Sequence, residues 1–435
     1  MLFAVGTYTT QGGPGLALIS AQGQKMELLC AADALADPIW ALTGKQGKTL
    51  YAACNQAGNE GWVASFSWSR TGLTMLSAQP TGGRACCHLC LDAEERYLYA
   101  ANYLDGSVSV FPLAGEKILP RCQFVPHEAP LGPHPTRQEC SHAHQVSFRP
   151  GTRELFVCNL GTDQVLIYDC GEDGKLLLRQ AIACKPGAGA RHLIFDGPAR
   201  FYLVGELDGW VMTYALKNGA WECLQALPTI PADFKGVNTA AAVRMTETHV
   251  YVSNRGHDSI ACFDRRADGT LAGPRLLSVP GSFPRDFLLY EGGFLLAQQK
   301  GGGGPRQHLP QAAAYGEAHC RQEGEKGRDH RPCAQGQASP HRLRRRDAAQ
   351  KQQHQRPDCR RKRRMPLRLL LFHPITGQVY APPPRNSTPA PPARSPQHLF
   401  TLHSSLFTLH SSLSTFHFPL RGAAAPRYRQ FLALY

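Results

Sequence analysis

One arrangement of apolar and polar residues recurs along the chain and constrains its fold more than any other feature. It is seen in LYAANYLDGSVSVF at 98 to 111, LFVCNLGTDQVLIY at 155 to 168, YLVGELDGWVMTY at 202 to 214 and VYVSNRGHDSIACF at 250 to 263. Each is a short apolar run, a polar turn containing glycine and a second apolar run, which is the signature of a β-hairpin. LYAACNQAGNEGWVASF at 50 to 66 and LFAVGTYTTQGGPGLAL at 2 to 18 fit more loosely. Aligned on the polar break, Asn55, Asn102, Asn159, Gly205, Asn254 and Gln298 follow one another at 47, 57, 46, 49 and 44 residues. Such periods belong to an array of one supersecondary unit.

Most hairpins are preceded by another apolar stretch, as in HLCLDA at 88 to 93, HQVSFRP at 144 to 150 and RHLIFD at 191 to 196. A fourth often follows, such as KLLLRQAIAC at 175 to 184. Four strands per repeat make a propeller blade, and radial closure protects sheet edges that would otherwise pair with other molecules. An open solenoid would need polar capping repeats, and none is evident. Counting the N-terminal unit, which lacks its leading strand, the chain predicts an all-β, seven-bladed β-propeller over residues 1 to 300.

The pattern stops after Lys300. The last hairpin opens with FLLAQQK, but GGGGPRQHLPQAAAYGEAHCRQEGEKGRDHRP follows without alternation, so the strand at Gln298 is expected to lack its partner. Residues 301 to 435 carry 22 Lys plus Arg against 6 Asp plus Glu, so the chain's net charge of +14 resides in this tail. FTLHSSL occurs twice in tandem at 400 to 413. Loss of pattern in mid-hairpin, many Arg with few Lys and a short tandem repeat read as translation in a shifted frame rather than as a natural low-complexity extension. A disordered tail is expected, with the propeller ring left incomplete between its last and first blades.

The basic runs RLRRRD at 342 to 347 and RRKRRM at 360 to 365 have no folded platform or aromatic interleaving, so no specific nucleic-acid partner is expected. No apolar run is long enough to span a bilayer. The 15 cysteines are an odd number, most of them inside strand patterns, and read as reduced thiols. A soluble cytoplasmic protein without a membrane partner follows; the oligomeric state is left open.

Several ordered motifs resemble one family. GTYT at 6 to 9, ANYLDGSVSVFPL at 101 to 113, SHAHQVSF at 141 to 148, GARHLIFD at 189 to 196, GELDG at 205 to 209 and SNRGHDSI at 253 to 260 are similar to the lactonase family of seven-bladed propellers. That family includes propeller-type 6-phosphogluconolactonases and carboxy-muconate lactonising enzymes. The resemblance covers about residues 1 to 300. It implies, as important cleft residues, a histidine, two arginines and a glutamate, which by motif are His144 or His142, Arg191, Arg255 and Glu206.

Geometry brings the same residues together. In an antiparallel blade the start of the first strand and the end of the second lie at one face. His142, His144 and Arg191 enter first strands, while Glu206 and Arg255 leave second strands, so all five are expected at one end of the axis. Arg191, Arg255 and His257 are the candidate substrate-binding cations, since guanidinium groups bind phosphate or carboxylate in a two-pronged geometry. Opening a lactone needs a base to activate water and positive charge near the developing oxyanion. No G-x-S-x-G elbow is present, so direct attack by water is the simpler chemistry.

Plainer roles exist for each residue. The histidines suit strand ends, Glu206 suits a turn, and Arg191 and Arg255 could pair with Asp208 or Asp258 between blades. Asp105, Asp163, Asp208 and Asp258 share one turn position and read as turn formers. Cys140, His142 and His144 alternate, but without a second pair at metal spacing neither a required metal nor any cofactor is expected. PGAGAR at 186 to 191 lacks the Lys and Ser/Thr of a phosphate loop. The expected activity is hydrolysis of a small anionic lactone, most simply 6-phosphogluconolactone. The alternatives are a muconate-type lactonising isomerase and a non-catalytic binding propeller.

Overall fold

A computed structural model describes residues 1–22, 25–279, 281–290 and 293–298, with the short segments 311–312, 314–316 and 368–369. Seven sheets, antiparallel except for the pairing of Gln311–Ala312 with Arg368–Leu369, follow one another along the chain. An N-terminal sheet of three strands, Leu2–Val5, Leu16–Gln22 and Lys25–Ala32, precedes the blades numbered here 1 to 6. Their first strands are Trp40–Thr43, Cys86–Leu91, Ala143–Phe148, Ala190–Phe195, Thr239–Met245 and Pro284–Tyr290. These first strands pack against one another in succession, which is how blades gather around an axis.

The apolar core lies between blades. Phe156 and Ile167 of blade 3 pack with Phe195, Phe201 and Trp221 of blade 4, and Tyr202 and Val204 of blade 4 pack with Val252 and Phe263 of blade 5. A second strand therefore buries both of its faces. Glu154–Asn159 and Thr49–Asn55 are buried at every position, which is why these strands read as unbroken apolar runs rather than as alternation. The fourth strand Leu176–Ala183 lies outside and exposes Leu177 and Leu178.

The anchor asparagines hold blade tops together. Asn159 Oδ1 accepts from the His142 N–H at 3.0 Å, Asn55 Nδ2 donates to the Cys86 carbonyl at 3.2 Å, and Asn254 Nδ2 donates to the Thr229 carbonyl at 3.0 Å. Gly205 stands where four other blades have Asn because a Cβ there would lie 2.8 Å from the Ala188 carbonyl oxygen. That close approach lets the Glu206 N–H donate to the Gly189 carbonyl at 2.8 Å.

The N-terminal sheet lacks a leading strand among the described residues, as its sequence implies. The sheet begun at Pro284 goes further than expected. Ala314–Gly316 pair antiparallel with Gly293–Leu295, and Gln311–Ala312 meet both Gln298 and Arg368–Leu369. The strand at Gln298 thus has a short partner, because ladder bonds use backbone groups that any residue supplies. The expected gap in the ring and the rest of the tail lie outside the described residues. The twelve described cysteines form no disulfide with one another. No described helix is long and apolar enough to cross a membrane.

Candidate active site

A β-bulge recurs at the entry to the first strands. Register shifts fall between Cys86 and His88, between Ala143 and Gln145, between Ala190 and His192, and between Pro284 and Asp286. The residues set out of register are Cys87, His144, Arg191 and Arg285. A bulge re-aims the side chain it carries, and the fold repeats the device blade after blade at one end. Blade 5 loses two residues from the ladder, Ala241 and Ala242, and contributes no polar group there.

Glu206 is the centre of the resulting cluster. Its Oε2 accepts from Arg191 Nε at 2.8 Å and lies 2.9 Å from Arg255 Nη2, while its Oε1 lies 2.5 Å from Arg137 Nη2. Burial alone would raise this carboxyl, yet Arg255, Arg191 and Arg137 hold it well below the usual carboxylate range. Burial and the neighbouring Arg255 draw the Arg191 guanidinium down from its ordinary value. Three cations around one carboxylate leave positive charge in excess, and Arg285 adds to it. Arg191 Nη1 is buried and has no hydrogen-bond partner among the described residues.

Arg191, Glu206 and Arg255 are 1%, 1% and 5% exposed. Arg137 is the outer layer, with its side chain 36% exposed, and it also donates to the Tyr103 hydroxyl at 3.2 Å. Burial and Arg191 push the His144 imidazole well below its usual range, so the ring is neutral at pH 7. His192 is lowered for the same two reasons. The two rings meet edge to face at 5.0 Å, and His192 Nδ1 is buried without a hydrogen-bond partner among the described residues.

The structure thus brings together His144, Arg191, Glu206 and Arg255. Arg191 and Arg255 pair with Glu206 rather than with Asp208 or Asp258. Asp105, Asp208 and Asp258 accept from their own turn's backbone, as Asp208 Oδ1 does from the Trp210 N–H at 3.1 Å, whereas Asp163, like Asp258, reaches the next blade's lead-in. Asp163 Oδ1 accepts from the Gly189 N–H at 2.6 Å and Asp258 Oδ1 from the Phe283 N–H at 2.7 Å. His142 turns the other way, with Nδ1 2.7 Å from the Tyr103 carbonyl and its ring stacked on Tyr103 at 4.3 Å. His257 is engaged at its own turn, with Nδ1 2.9 Å from Ser259 Oγ and its ring against Phe234.

Tyr103, Arg137, His192 and Arg285 were not picked out from the sequence. Two of them carried a signal: Tyr103 follows anchor Asn102 as Glu206 follows Gly205, and Arg285 enters blade 6 as Arg191 enters blade 4. Arg137 comes from the connection before blade 3, where no repeat applies.

Comparison with known proteins bears on the family and the fold. Residues 2–302 match the family described as Lactonase, 7-bladed beta-propeller. A 6-phosphogluconolactonase of Bacillus subtilis is 32% identical over 307 residues, covering 68% of this chain and 87% of its own. The solved periplasmic gluconolactonase of Pseudomonas aeruginosa superposes with a TM-score of 0.64 at 28% identity, covering 69% of this chain and 90% of that one. A Lactobacillus plantarum protein of solved structure superposes with a TM-score of 0.62 at 29% identity, covering 68% and 88%. The chain belongs to the lactonase family of seven-bladed β-propellers.

Proposed function

We propose that the protein hydrolyses a sugar-acid lactone bearing an anionic group, with 6-phosphogluconolactone as the substrate that fits best. The observation that carries this reading is the excess of buried cation, with Arg191 Nη1 left without a hydrogen-bond partner among the described residues beside a carboxylate already shared by three guanidinium groups. Such a site has charge to spend on a ligand and on a developing oxyanion. The similarity to the Bacillus subtilis 6-phosphogluconolactonase supports the same substrate class.

In this reading His144, neutral at pH 7, takes a proton from water as the oxygen bonds to the lactone carbonyl carbon. Arg191 stabilises the oxyanion. The ring C–O bond then breaks, the proton passes from His144 to the leaving alkoxide, and a carboxylic acid is left to ionise. Glu206 is too well paired to serve as a base, so its role is to hold Arg191 and Arg255 in place. Arg255 contacts the substrate's anionic group, and Arg137, the exposed member, exchanges its bond to Glu206 for the same group as the ligand enters. A cytoplasmic setting belongs to the same reading and rests on the twelve thiols.

Incorporation of solvent oxygen tests the reaction type. Hydrolysis of 6-phosphogluconolactone in ¹⁸O-water should place one labelled oxygen per turnover in the product carboxylate above the spontaneous rate, whereas opening of a muconolactone by elimination incorporates none. Turnover of the muconolactone alone would overturn the proposal in favour of the isomerase.

A further inference from the structure

The connection into blade 3 holds a second cluster of ligand-type side chains on the outer side of Tyr103. Glu139, Cys140 and His142 each offer one donor atom, and the three atoms lie within 4.8 Å of one another. His142 Nε2 is 3.4 Å from Glu139 Oε1 and 3.7 Å from Cys140 Sγ. Around a tetrahedral Zn²⁺, with bonds of about 2.1 Å to N and O and about 2.3 Å to S, neighbouring ligand atoms are separated by roughly 3.4 to 3.6 Å. Glu139 Oε1 and His142 Nε2 already stand at that spacing, and Cys140 Sγ, 3.7 Å from Nε2 and 3.8 Å from Nδ1, reaches it by a turn of its side chain.

The orientation of His142 strengthens the case. Its Nδ1 lies 2.7 Å from the Tyr103 carbonyl, an acceptor only, so Nδ1 carries the proton and Nε2 presents a lone pair. A histidine that ligates a metal is oriented by this kind of bond from its other nitrogen. Nε2 stands next to the Glu139 carboxylate oxygen with Cys140 Sγ to the side of the ring, so a cation bound at Nε2 would draw the carboxylate and the rotated thiol to itself. The segment is also fixed in advance. Gln138 Nε2 donates to the Leu160 carbonyl at 2.8 Å, and the His142 N–H donates to Asn159 Oδ1 at 3.0 Å.

We propose that Glu139, Cys140 and His142 form a binding site for a thiophilic divalent cation, Zn²⁺ foremost, with the fourth coordination position open to water or an external ligand. The site is separate from the buried arginine cluster but touches it through one layer. His142 stacks on Tyr103, and the Tyr103 hydroxyl accepts from the Arg137 that covers Glu206. It is independent of the lactonase reading, since it rests on none of Arg191, Glu206 or His144.

The test is titration of the full chain with Co²⁺ after chelation and dialysis, followed by displacement with Zn²⁺. The expected result is one equivalent that gives the strong visible bands of four-coordinate Co²⁺ with a near-ultraviolet thiolate-to-metal charge-transfer band, bleached by Zn²⁺. Cys140→Ser should remove the charge-transfer band. Glu139→Gln, on a half-exposed side chain that leaves the fold untouched, should weaken Co²⁺ binding at least about 10-fold. A charge-transfer band that persists in Cys140→Ser would assign the metal to other thiols and overturn the proposal. So would a six-coordinate spectrum without that band, or unchanged affinity in Glu139→Gln.

Discussion

Arg191 and Glu206, fifteen residues apart across one hairpin, meet through Nε and Oε2 at 2.8 Å with both side chains buried. Three guanidinium groups share that one carboxylate, and removing it leaves buried cations without compensation. Glu206→Gln should destabilise the fold by about 3 to 5 kcal/mol, the usual cost of breaking a buried pair from one side. Urea unfolding measures this, and added inorganic phosphate should restore part of the loss. Unchanged stability would show that the three cations do not depend on Glu206.

The arginines differ in their expected kinetic effects. Arg255→Ala removes an anion contact and should raise KM about 10- to 100-fold with a smaller change in kcat. Arg191→Ala removes the oxyanion contact and should lower kcat about 100-fold or more. Steady-state kinetics on each folded variant separates the two, and equal effects on KM and kcat in both would contradict the division of roles.

Much of this architecture is legible in the sequence, and the exceptions have physical causes. The polar breaks at Asn102, Asn159 and Asn254 mark the hairpins because those asparagines bond across the blade tops. Glu206 and Arg255 follow the anchors Gly205 and Asn254 directly, and the structure brings the two within 2.9 Å of each other. His142 and His144 could not be separated, because strict alternation gives them the same face. The bulge at His144 breaks that alternation, and no local pattern announces it. Arg137 lies in a connection outside the repeat, and only the folded chain brings it to Glu206.

Buried neutral histidines tie stability to pH with a definite sign. His144 and His192 are held well below their usual range in the folded chain, so below about pH 6.5 the unfolded chain binds more protons. Their contribution is full above that pH and falls as pH drops, by up to about 1.4 kcal/mol per pH unit for each ring. His192→Asn should therefore flatten the loss of stability between pH 7 and pH 5.5 in urea titrations. An unchanged slope would show that His192 is not held neutral.

The chain beyond the family match is expected to add nothing to the site. Deleting residues 318–435 keeps the short strand Ala314–Gly316 and should leave the unfolding midpoint and kcat/KM as they are. Loss of folding on deletion would make the tail part of the propeller.

The central claim is that excess buried cation selects an anionic lactone. The most direct measurement is kcat/KM for 6-phosphogluconolactone against unphosphorylated gluconolactone, in the wild type and in Arg255→Ala. The account predicts a preference of at least about 10-fold for the phosphorylated substrate, the value of one charge-assisted hydrogen bond, and its collapse in Arg255→Ala. Equal or reversed preference in the wild type would contradict it.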